Sequence, residues 1–276
     1  MDAARRASRP SWRGGSADRL AAAVAVAFDR TAESYDADFG TNPVGLLFRH
    51  VVQQRLLERV PPGARVLDVG CGTGEDALVL AEQGRAVHAI DVSEAMVRRC
   101  RAKAEQRGLG PDRLRVELRA AEELVGLELM FDAAYSDFGA LNCADLFAVG
   151  RGLAHVLRPG APVLLSVMGP HPLPAGVERA LTGRGQPRGR SLPRVGGLPV
   201  PVHHPTPRAL RQALGDAFTW TGCFALGALV PGPNHGAWAA RHPITFGALA
   251  ALERLVRDWP GLRGRGDHLV LEGVRR

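Results

Sequence analysis

Residues 66–74 read Val-Leu-Asp-Val-Gly-Cys-Gly-Thr-Gly, and the run His88-Ala-Ile-Asp91 ends a second short apolar segment 17 positions after Gly74. An apolar strand, a glycine-rich turn, a helix and a second strand ending in an acid are typical of a nucleotide-type cofactor site at the carboxyl edge of a parallel sheet. Glycines let the backbone turn tightly and approach a ligand. The acid can accept hydrogen bonds from both hydroxyls of a ribose.

The spacing of the glycines narrows the kind of cofactor. The dinucleotide fingerprint requires G-x-G-x-x-G, whereas here an acid precedes the first glycine, in the pattern Asp68-x-Gly70-x-Gly72-x-Gly74. A phosphate-binding P-loop would end in Gly-Lys-Ser/Thr, and this turn lacks that ending. The pattern therefore indicates a nucleotide-type cofactor of another kind.

The segment VLDVGCGTGEDALVLA (66–81) resembles motif I of the class I S-adenosylmethionine-dependent methyltransferases, and AIDVSEAMV (89–97) resembles their second motif. The resemblance continues through RVELRAAEEL, FDAAYSDFGALN and LRPGAPVLLSVM, so it covers roughly residues 24–170. It implies an S-adenosyl-L-methionine cofactor and an enzyme of the small-molecule type. The excess of arginine, alanine, glycine and proline indicates GC-rich coding and a bacterial source.

The resemblance also implies an α/β fold: a Rossmann-like, doubly wound, seven-stranded sheet with its last strand antiparallel, N-terminal helices before the core, and a lid insertion after strand five. Between about residues 21 and 57 we expect two helical segments, broken at Gly40–Pro43. The predicted strands are Arg65–Val69, Ala86–Ile90, Arg115–Arg119, Phe131–Ser136, Pro162–Val167, Phe218–Val230 and His268–Val274. The predicted units are a disordered basic tail (1–17), N-terminal helices (18–60), the cofactor-binding core (61–170), a cap or lid insertion (171–207) and the C-terminal completion of the sheet (208–276).

The resemblance carries cofactor-binding roles onto particular residues. Asp68 would orient the glycine turn, Asp91 would hold the ribose and Met96 would lie beside the adenine. Where the family usually shows Asp-Ala after strand three, this chain has Ala120-Ala121, so Glu122 is the substitute acceptor for the adenine amino group. The full set of expected cofactor-binding residues is Tyr35, Arg49, Asp68, Gly70, Cys71, Gly72, Gly74, Asp91, Val92, Met96, Ala121, Glu122 and Ser136.

Two members of that set come from the N-terminal helices. Tyr35 would lie over the methionine end of the cofactor, and Arg49 would pair with its carboxylate. The alternative for both is an ordinary packing or surface position. Ser136 ends strand four, where its backbone would face the sulfonium.

Catalytic residues are harder to assign, because methyl transfer mainly needs alignment and needs a general base only when the acceptor must lose a proton. Asn142 lies just past strand four, in the loop that usually borders the methyl group in this family. His171 follows strand five, and His203 lies at the predicted lid hairpin. Imidazole could deprotonate a hydroxyl or bind an acidic group. A structural or exposed histidine is the alternative.

The composition of the chain limits the kinds of partner that it is expected to bind. The chain has 276 residues and a formal net charge of +7, and Lys103 is the only lysine among its 35 basic residues. The basic residues are scattered apart from local clusters such as Arg184–Arg190, which indicates a solvated surface or attraction to an acidic substrate or carrier protein. Four cysteines without a CxxC pair predict neither a metal site nor a disulfide framework. No apolar run of membrane-spanning length occurs, and a cytoplasmic location is expected.

The motifs expected of DNA amino-methyltransferases, pyrimidine C5 enzymes and protein arginine methyltransferases are missing after strand four and elsewhere, so nucleic acid is not the expected partner. The leading hypothesis is methyl transfer by in-line displacement to a small-molecule metabolite, a natural-product or isoprenoid-like acceptor that could carry an acidic group. The alternatives are methylation of an acyl-carrier-bound substrate, a non-catalytic cofactor-binding regulator and, as a further option, RNA modification. Acceptor identity, the methylated atom and the choice between monomer and homodimer stay open.

Overall fold

The computed structural model describes residues 16–39, 42–182 and 190–276. The predicted disordered tail lies outside the described residues except for Ser16 and Ala17, which begin the first helix. Of the basic cluster Arg184–Arg190, residues 184–189 also lie outside the described residues.

Helices and strands alternate through the core of the chain. The helices are α1 (Ser16–Asp29), α2 (Ala32–Phe39), α3 (Pro43–Arg59), α4 (Glu75–Glu82), α5 (Glu94–Gln106), α6 (Leu146–Val156), α7 (Leu173–Thr182), α8 (Pro207–Leu214), α9 (Gly236–Arg241) and α10 (Pro243–Val256). The strands are β1 (Arg65–Val69), β2 (Ala86–Asp91), β3 (Leu114–Leu118), β4 (Ala133–Ser136), β5 (Pro162–Met168), β6 (Arg190–Ser191), β7 (Arg194–Val195), β8 (Leu198–Pro199), β9 (Val202–His203), β10 (Phe218–Leu226) and β11 (His268–Arg275).

Seven strands form one sheet in the order β10-β11-β5-β4-β1-β2-β3. The pairs β1–β2, β2–β3, β1–β4 and β4–β5 are parallel, and β11 runs antiparallel to both β10 and β5. This arrangement confirms the predicted Rossmann-like sheet with an antiparallel last strand. The strand order reverses between β1 and β4, and ligands of such sheets bind outside the carboxyl ends of the strands at that point.

The two largest differences from the predicted elements have local reasons. The first predicted helical segment is two helices, because the chain turns at Arg30-Thr31 and the Thr31 hydroxyl donates to the carbonyl of Phe28 (3.0 Å). The strand expected to reach Val230 ends at Leu226. The amides of Gly227, Leu229 and Val230 donate to the buried carboxylate of Glu253 instead of a neighbouring strand.

The sheet is covered by helices on both faces, and each face buries its own apolar cluster. On one face α3 contributes Val44, Phe48, Val52 and Leu56, whose four-residue spacing places them on one side of the helix. On the other face α6 contributes Val149, Leu153 and Val156. Each fully buried side chain of this size contributes roughly 1.5–3 kcal/mol relative to exposure, so the two clusters fix the sheet edge that carries the site.

The insertion between β5 and α8 forms α7 and two small antiparallel strand pairs, β6–β9 and β7–β8. Val200 and Val202 of this insertion pack with Val24 and Ala27 of α1. The insertion therefore supports the N-terminal helix from outside. Across residues 16–39, 42–182 and 190–276, no helix combines the length and apolar character needed to cross a membrane.

Candidate active site

A cavity opens at the carboxyl ends of β1, β2 and β4, where the strand order reverses. The glycine turn after β1 forms its floor, and α1, α2 and α3 supply residues on the opposite side. The lining residues are Ala21, Val24, Phe28, Tyr35, Arg49, Asp68, Gly70, Cys71, Gly72, Thr73, Glu75, Asp76, Asp91, Val92, Met96, Arg119, Ala121, Glu122, Asp137, Phe138, Ala140, Cys143 and Ala144. Eleven of the thirteen expected cofactor-binding residues are in this lining.

Asp91 holds the glycine turn as well as facing the cavity. Its Oδ2 accepts the amide of Gly72 (2.8 Å), and its Oδ1 accepts the amide of Ser93 (2.8 Å). Burial raises the pKa of Asp91, although the amides of Ser93, Gly72 and Val92 partly offset that effect. Each carboxylate oxygen keeps a second lone pair, so this acid can still accept hydrogen bonds from a ligand in the cavity.

Asp68 has a different partner from the one expected. The hydroxyl of Tyr135 donates to its Oδ2 (2.7 Å), while the amides of Gly70 and Cys71 donate to the carbonyl of Ile90. The turn is therefore oriented by β2 and Asp91. Burial raises the pKa of Asp68 well above its ordinary value against the effect of the Tyr135 hydrogen bond.

Gly74 and Ser136 lie behind the cavity wall, which corrects their expected place in the lining. Gly74 has φ +87°, and a Cβ built on it would lie 2.2 Å from Sγ of Cys100 in α5. It permits close packing of α4 against α5. Ser136 is fully buried, and its hydroxyl donates to the carbonyl of Val69 (2.7 Å), which joins β4 to β1.

The cavity lining also contains the four residues expected beside the adenine, which are Val92, Met96, Ala121 and Glu122. Met96 is buried within α5, and Oε1 of Glu122 accepts the amide of Asp145 (2.8 Å). Burial raises the pKa of Glu122, opposed by the Asp145 amide. The expected substitute for the missing aspartate thus reaches the cavity, with its carboxylate anchored at the start of α6.

Arg49 and Tyr35 both face the cavity from the N-terminal helices. A guanidinium nitrogen of Arg49 lies 2.9 Å from Oδ2 of Asp76, and the group lies 4.8 Å above the ring of Phe138. A carboxylate entering the cavity would therefore share Arg49 with Asp76. Burial raises the pKa of Tyr35 to about 12, so its phenol stays neutral near pH 7.

Helix α2 is tied to the rest of the site through Asp36. Its Oδ1 accepts the hydroxyl of Thr73 in the glycine turn (2.5 Å), and its Oδ2 lies 2.8 Å from Lys103 and 3.1 Å from Arg99. Burial opposes ionisation, but Lys103, Thr73 and Arg99 outweigh it and hold the pKa of Asp36 below its ordinary value. These contacts keep α2 closed over the turn.

We expect Asp36→Asn to loosen α2. Loss of two partly exposed ionic contacts should increase amide hydrogen exchange across α2 by about fivefold, which corresponds to about 1 kcal/mol. The matched control is Glu33→Gln, a change of the same kind at an exposed position of the same helix, which should leave the exchange unchanged. Equal exchange in Asp36→Asn and the wild type would remove this assignment.

None of the three expected catalytic residues lies in the cavity lining. Asn142 is fully buried, and its Nδ2 donates to the carbonyls of Met168 (3.1 Å) and His203 (2.5 Å) while its Oδ1 accepts the amide of Met168 (2.8 Å). It joins β5 to the insertion. His203 takes part in that junction through its carbonyl, and His171 is exposed after β5. Their places correct the expectation, because Asn142 already uses its polar atoms and both histidines lie outside the cavity.

The comparisons with known proteins agree with this geometry. A methyltransferase-domain family profile matches residues 66–160. Nocamycin O-methyltransferase of Saccharothrix syringae is 37% identical over 161 residues, which cover 56% of this chain and 54% of that protein. The profile match includes the glycine turn and Asp91, so this part of the chain resembles a methyltransferase domain. A malonyl acyl-carrier-protein O-methyltransferase of Erwinia pyrifoliae is 34% identical over 182 residues, covering 64% of this chain and 62% of that protein. The match thus spans little more than half the length of these relatives.

Solved structures share the fold of this chain at lower identity. A 1,6-didemethyltoxoflavin-N1-methyltransferase of Burkholderia thailandensis, crystallised with S-adenosylhomocysteine, superposes with a TM-score of 0.58 at 19% identity and covers 97% of this chain and 92% of its own. A (4+2)-cyclase superposes with a TM-score of 0.62 at 19% identity and covers 91% and 95%. The fold therefore extends over nearly the whole chain.

Sequence reasoning missed several residues of the cavity. Asp76 lies in the first turn of α4 and pairs with Arg49, while Asp137 directly follows β4. The signal for Asp137 was present, since an acid immediately after a parallel strand lies at the carboxyl edge where ligands bind. Phe28, from α1, gave no comparable signal, because only the folded chain brings that helix over the sheet edge.

Proposed function

We propose that this chain transfers a methyl group from S-adenosyl-L-methionine to a small-molecule acceptor. The observation that supports the proposal most is the pairing of the glycine turn with Asp91 at the reversal of strand order. The Asp91 carboxylate accepts the Gly72 amide and so holds the backbone turn in place. Because it also faces the cavity, its oxygens can accept hydrogen bonds from a ribose. The similarity of residues 66–160 to a methyltransferase domain supports the same function.

The lining fits such a cofactor. Gly72 faces open space, since the nearest atom to a Cβ built there is Cε1 of Tyr35 at 4.0 Å, so the turn leaves room for a ligand against the backbone. The donor and acceptor set is suitable as well. Asp91 would hold the ribose, Glu122 with Met96 and Val92 the adenine, and Arg49 with Tyr35 the methionine end. Asp68 lines the same cavity, and its Oδ2 accepts the hydroxyl of Tyr135.

The bound cofactor would supply an activated methyl group on a positively charged sulfur. The chain's own task is to align the acceptor and exclude water. Val24 and Phe28 of α1 present apolar surface to the cavity, and Asp36 holds α2 against the glycine turn. The insertion after β5 packs on α1 from outside, so we propose that it acts as a lid by fixing α1 in place.

Two measurements test the proposal. Titration calorimetry should detect binding of both S-adenosylmethionine and S-adenosylhomocysteine to the full chain. Incubation with a panel of phenols, enols, amines and carboxylic acids should then yield S-adenosylhomocysteine and a methylated product. Absence of binding by well-folded protein would exclude the proposal.

A carrier-bound substrate is a second candidate, favoured by the malonyl acyl-carrier-protein O-methyltransferases among the relatives. The basic character of the chain suits an acidic carrier surface. The discriminating experiment compares one acceptor free and tethered to an acyl carrier protein. A rise in kcat/KM of tenfold or more on tethering, lost at high salt, would favour the carrier.

A role without methyl transfer is a third candidate, because the fold is shared with a (4+2)-cyclase and fold alone does not fix chemistry. Such a protein would bind the cofactor and return it unchanged. Product formation is the measurement that distinguishes such a protein from an enzyme. Binding without any S-adenosylhomocysteine formed across the acceptor panel would support the non-catalytic role.

A further inference from the structure

Asp137 is a buried acid at the cavity that the cofactor assignment leaves unused. It directly follows β4, is only 7% exposed and lines the cavity. Its Oδ1 accepts the amide of Phe138 (2.8 Å). Its Oδ2 is buried without a hydrogen-bond partner among the described residues. A buried carboxylate oxygen left unpaired costs stability, so its presence beside a cavity indicates a ligand group that would complete its hydrogen bonds.

The backbone beside Asp137 is also under strain. Phe138 has φ +52°, alone among the non-glycine residues that the structure describes. A bulky residue in this left-handed region is uncommon, and such strain concentrates at functional sites. The turn places Asp137 and Phe138 together in the cavity wall, and the guanidinium of Arg49 lies over the Phe138 ring. The chain thus accepts a local cost to hold this acid in place.

The electrostatic surroundings of Asp137 come from five other elements. Burial and the carboxylate of Asp76 raise its pKa to about 7, against the opposing effect of Arg49 and His268 and of the nearby Ser166 hydroxyl. A carboxylate with this pKa can both accept and release a proton near neutral pH. The groups that face it are Tyr35 in α2, Arg49 in α3, Asp76 in α4, Ser166 in β5 and His268 in β11.

We propose that Asp137 is the general base of the reaction and that it selects a neutral acceptor whose reactive oxygen or nitrogen carries a proton. The inference rests on the proposed methyl transfer. The acceptor atom gives its proton to Oδ2 of Asp137 and uses the electron pair so released to bond to the methyl group. The pair of the former carbon–sulfur bond stays on the sulfur. Asp137 then releases its proton to solvent after the product leaves.

This assignment separates two classes of acceptor. A hydroxyl, an enol or a neutral N–H group becomes a stronger nucleophile when it loses its proton. A base beside such a group therefore accelerates the reaction. A carboxylic acid is already ionised near pH 7 and needs no base. An ionised Asp137 would also repel it, since like charges brought close in a buried site are unfavourable. The structure therefore favours a protic, uncharged acceptor atom over a carboxylate.

The first test is the pH dependence of stability, which does not require turnover. The carboxyl binds its proton more tightly in the folded chain than in the unfolded chain, so folded-state stability falls as pH rises from about 4 to about 7 and is then level. Asp137→Asn removes this loss. Its melting temperature should match that of the wild type near pH 4 and exceed it increasingly up to pH 7. Asp112→Asn, the same change at an exposed position, should keep the wild-type pH dependence.

The second test is kinetic and uses phenol, enol and amine probes alongside carboxylic acids. Asp137→Asn should lower kcat by about 100-fold or more with little change in KM. For the wild type we expect kcat/KM to rise with pH up to about pH 7, and Asp137→Asn should abolish that rise. Retention of wild-type kcat by Asp137→Asn would overturn the assignment. So would an identical pH dependence of stability in the variant and the wild type.

Two outcomes separate this inference from the proposed function. Wild-type protein that methylates only carboxylic acids would overturn the role of Asp137 while upholding methyl transfer. Wild-type protein that binds no S-adenosylmethionine would overturn both. A pH-independent Asp137→Asn enzyme with reduced kcat, greater stability than wild type above pH 7 and unchanged S-adenosylhomocysteine affinity would support Asp137 as the base.

Discussion

Asp91→Ala is expected to raise the dissociation constant for S-adenosylmethionine by tenfold or more, a loss of about 1.4 kcal/mol or more. The substitution removes the proposed acceptor for the ribose hydroxyls. It also leaves the amides of Gly72 and Ser93 without their present partner, so the turn loses part of its orientation. Titration calorimetry at one pH and salt concentration measures the change directly.

The two contributions to that loss can be separated with the 2′-deoxy analogue of S-adenosylhomocysteine. If Asp91 binds the ribose, the wild type should discriminate against this analogue and Asp91→Ala should not. Preserved discrimination in the variant would confine Asp91 to holding the glycine turn. Glu94→Gln, at an exposed position early in α5, is the matched control and should bind both ligands as the wild type does.

Gly74→Ala is expected to destabilise the fold by about 3 kcal/mol. A left-handed φ costs an ordinary residue roughly 1–2 kcal/mol, and overpacking typically adds roughly 1–3 kcal/mol. Both apply here, because Gly74 has φ +87° and the new Cβ would lie 2.2 Å from Sγ of Cys100, deep in the α4–α5 contact. Urea unfolding followed by circular dichroism measures the difference in free energy of unfolding.

Gly63→Ala is the matched control, because Gly63 has φ +83° but nothing lies within 4 Å of a Cβ built there. It should lose only the backbone part, roughly 1–2 kcal/mol. Adding Cys100→Ala to Gly74→Ala should relieve part of the clash, so the double variant should be less destabilised than the sum of the two single variants. Equal losses for Gly63→Ala and Gly74→Ala would show that α4 and α5 separate without cost.

The part of the site that sequence reasoning predicted is local in the chain. β1, its glycine turn and the acid that ends β2 lie within 27 consecutive residues, 65–91, and each signals its role through residue type and spacing. The same holds for the predicted alternation of strands and helices, and the structure confirms the seven-stranded sheet. An apolar strand followed by closely spaced glycines indicates few structures other than such a turn. Residue type and order were therefore enough to predict it.

The errors share one cause. Asn142, His171 and His203 were chosen because they follow strands or mark a hairpin, yet the folded chain uses Asn142 to join β5 to the insertion and leaves both histidines outside the cavity. Gly74 and Ser136 belong to the right segments, but their partners Cys100 and Val69 place them behind the wall. Proximity along the chain does not say which side of a loop faces a ligand.

The sequence by itself determined the sheet, the glycine turn and the acid opposite it, because those depend on backbone freedom and on apolar patterns that repeat over a few residues. Only the tertiary structure decided the character of Asp137. Its burial, the repulsion from Asp76 and the attraction of Arg49 and His268 come from segments up to 219 positions apart in the chain, residues 49 to 268. Such electrostatic balances depend on distance and dielectric in the folded molecule, and no local pattern encodes them.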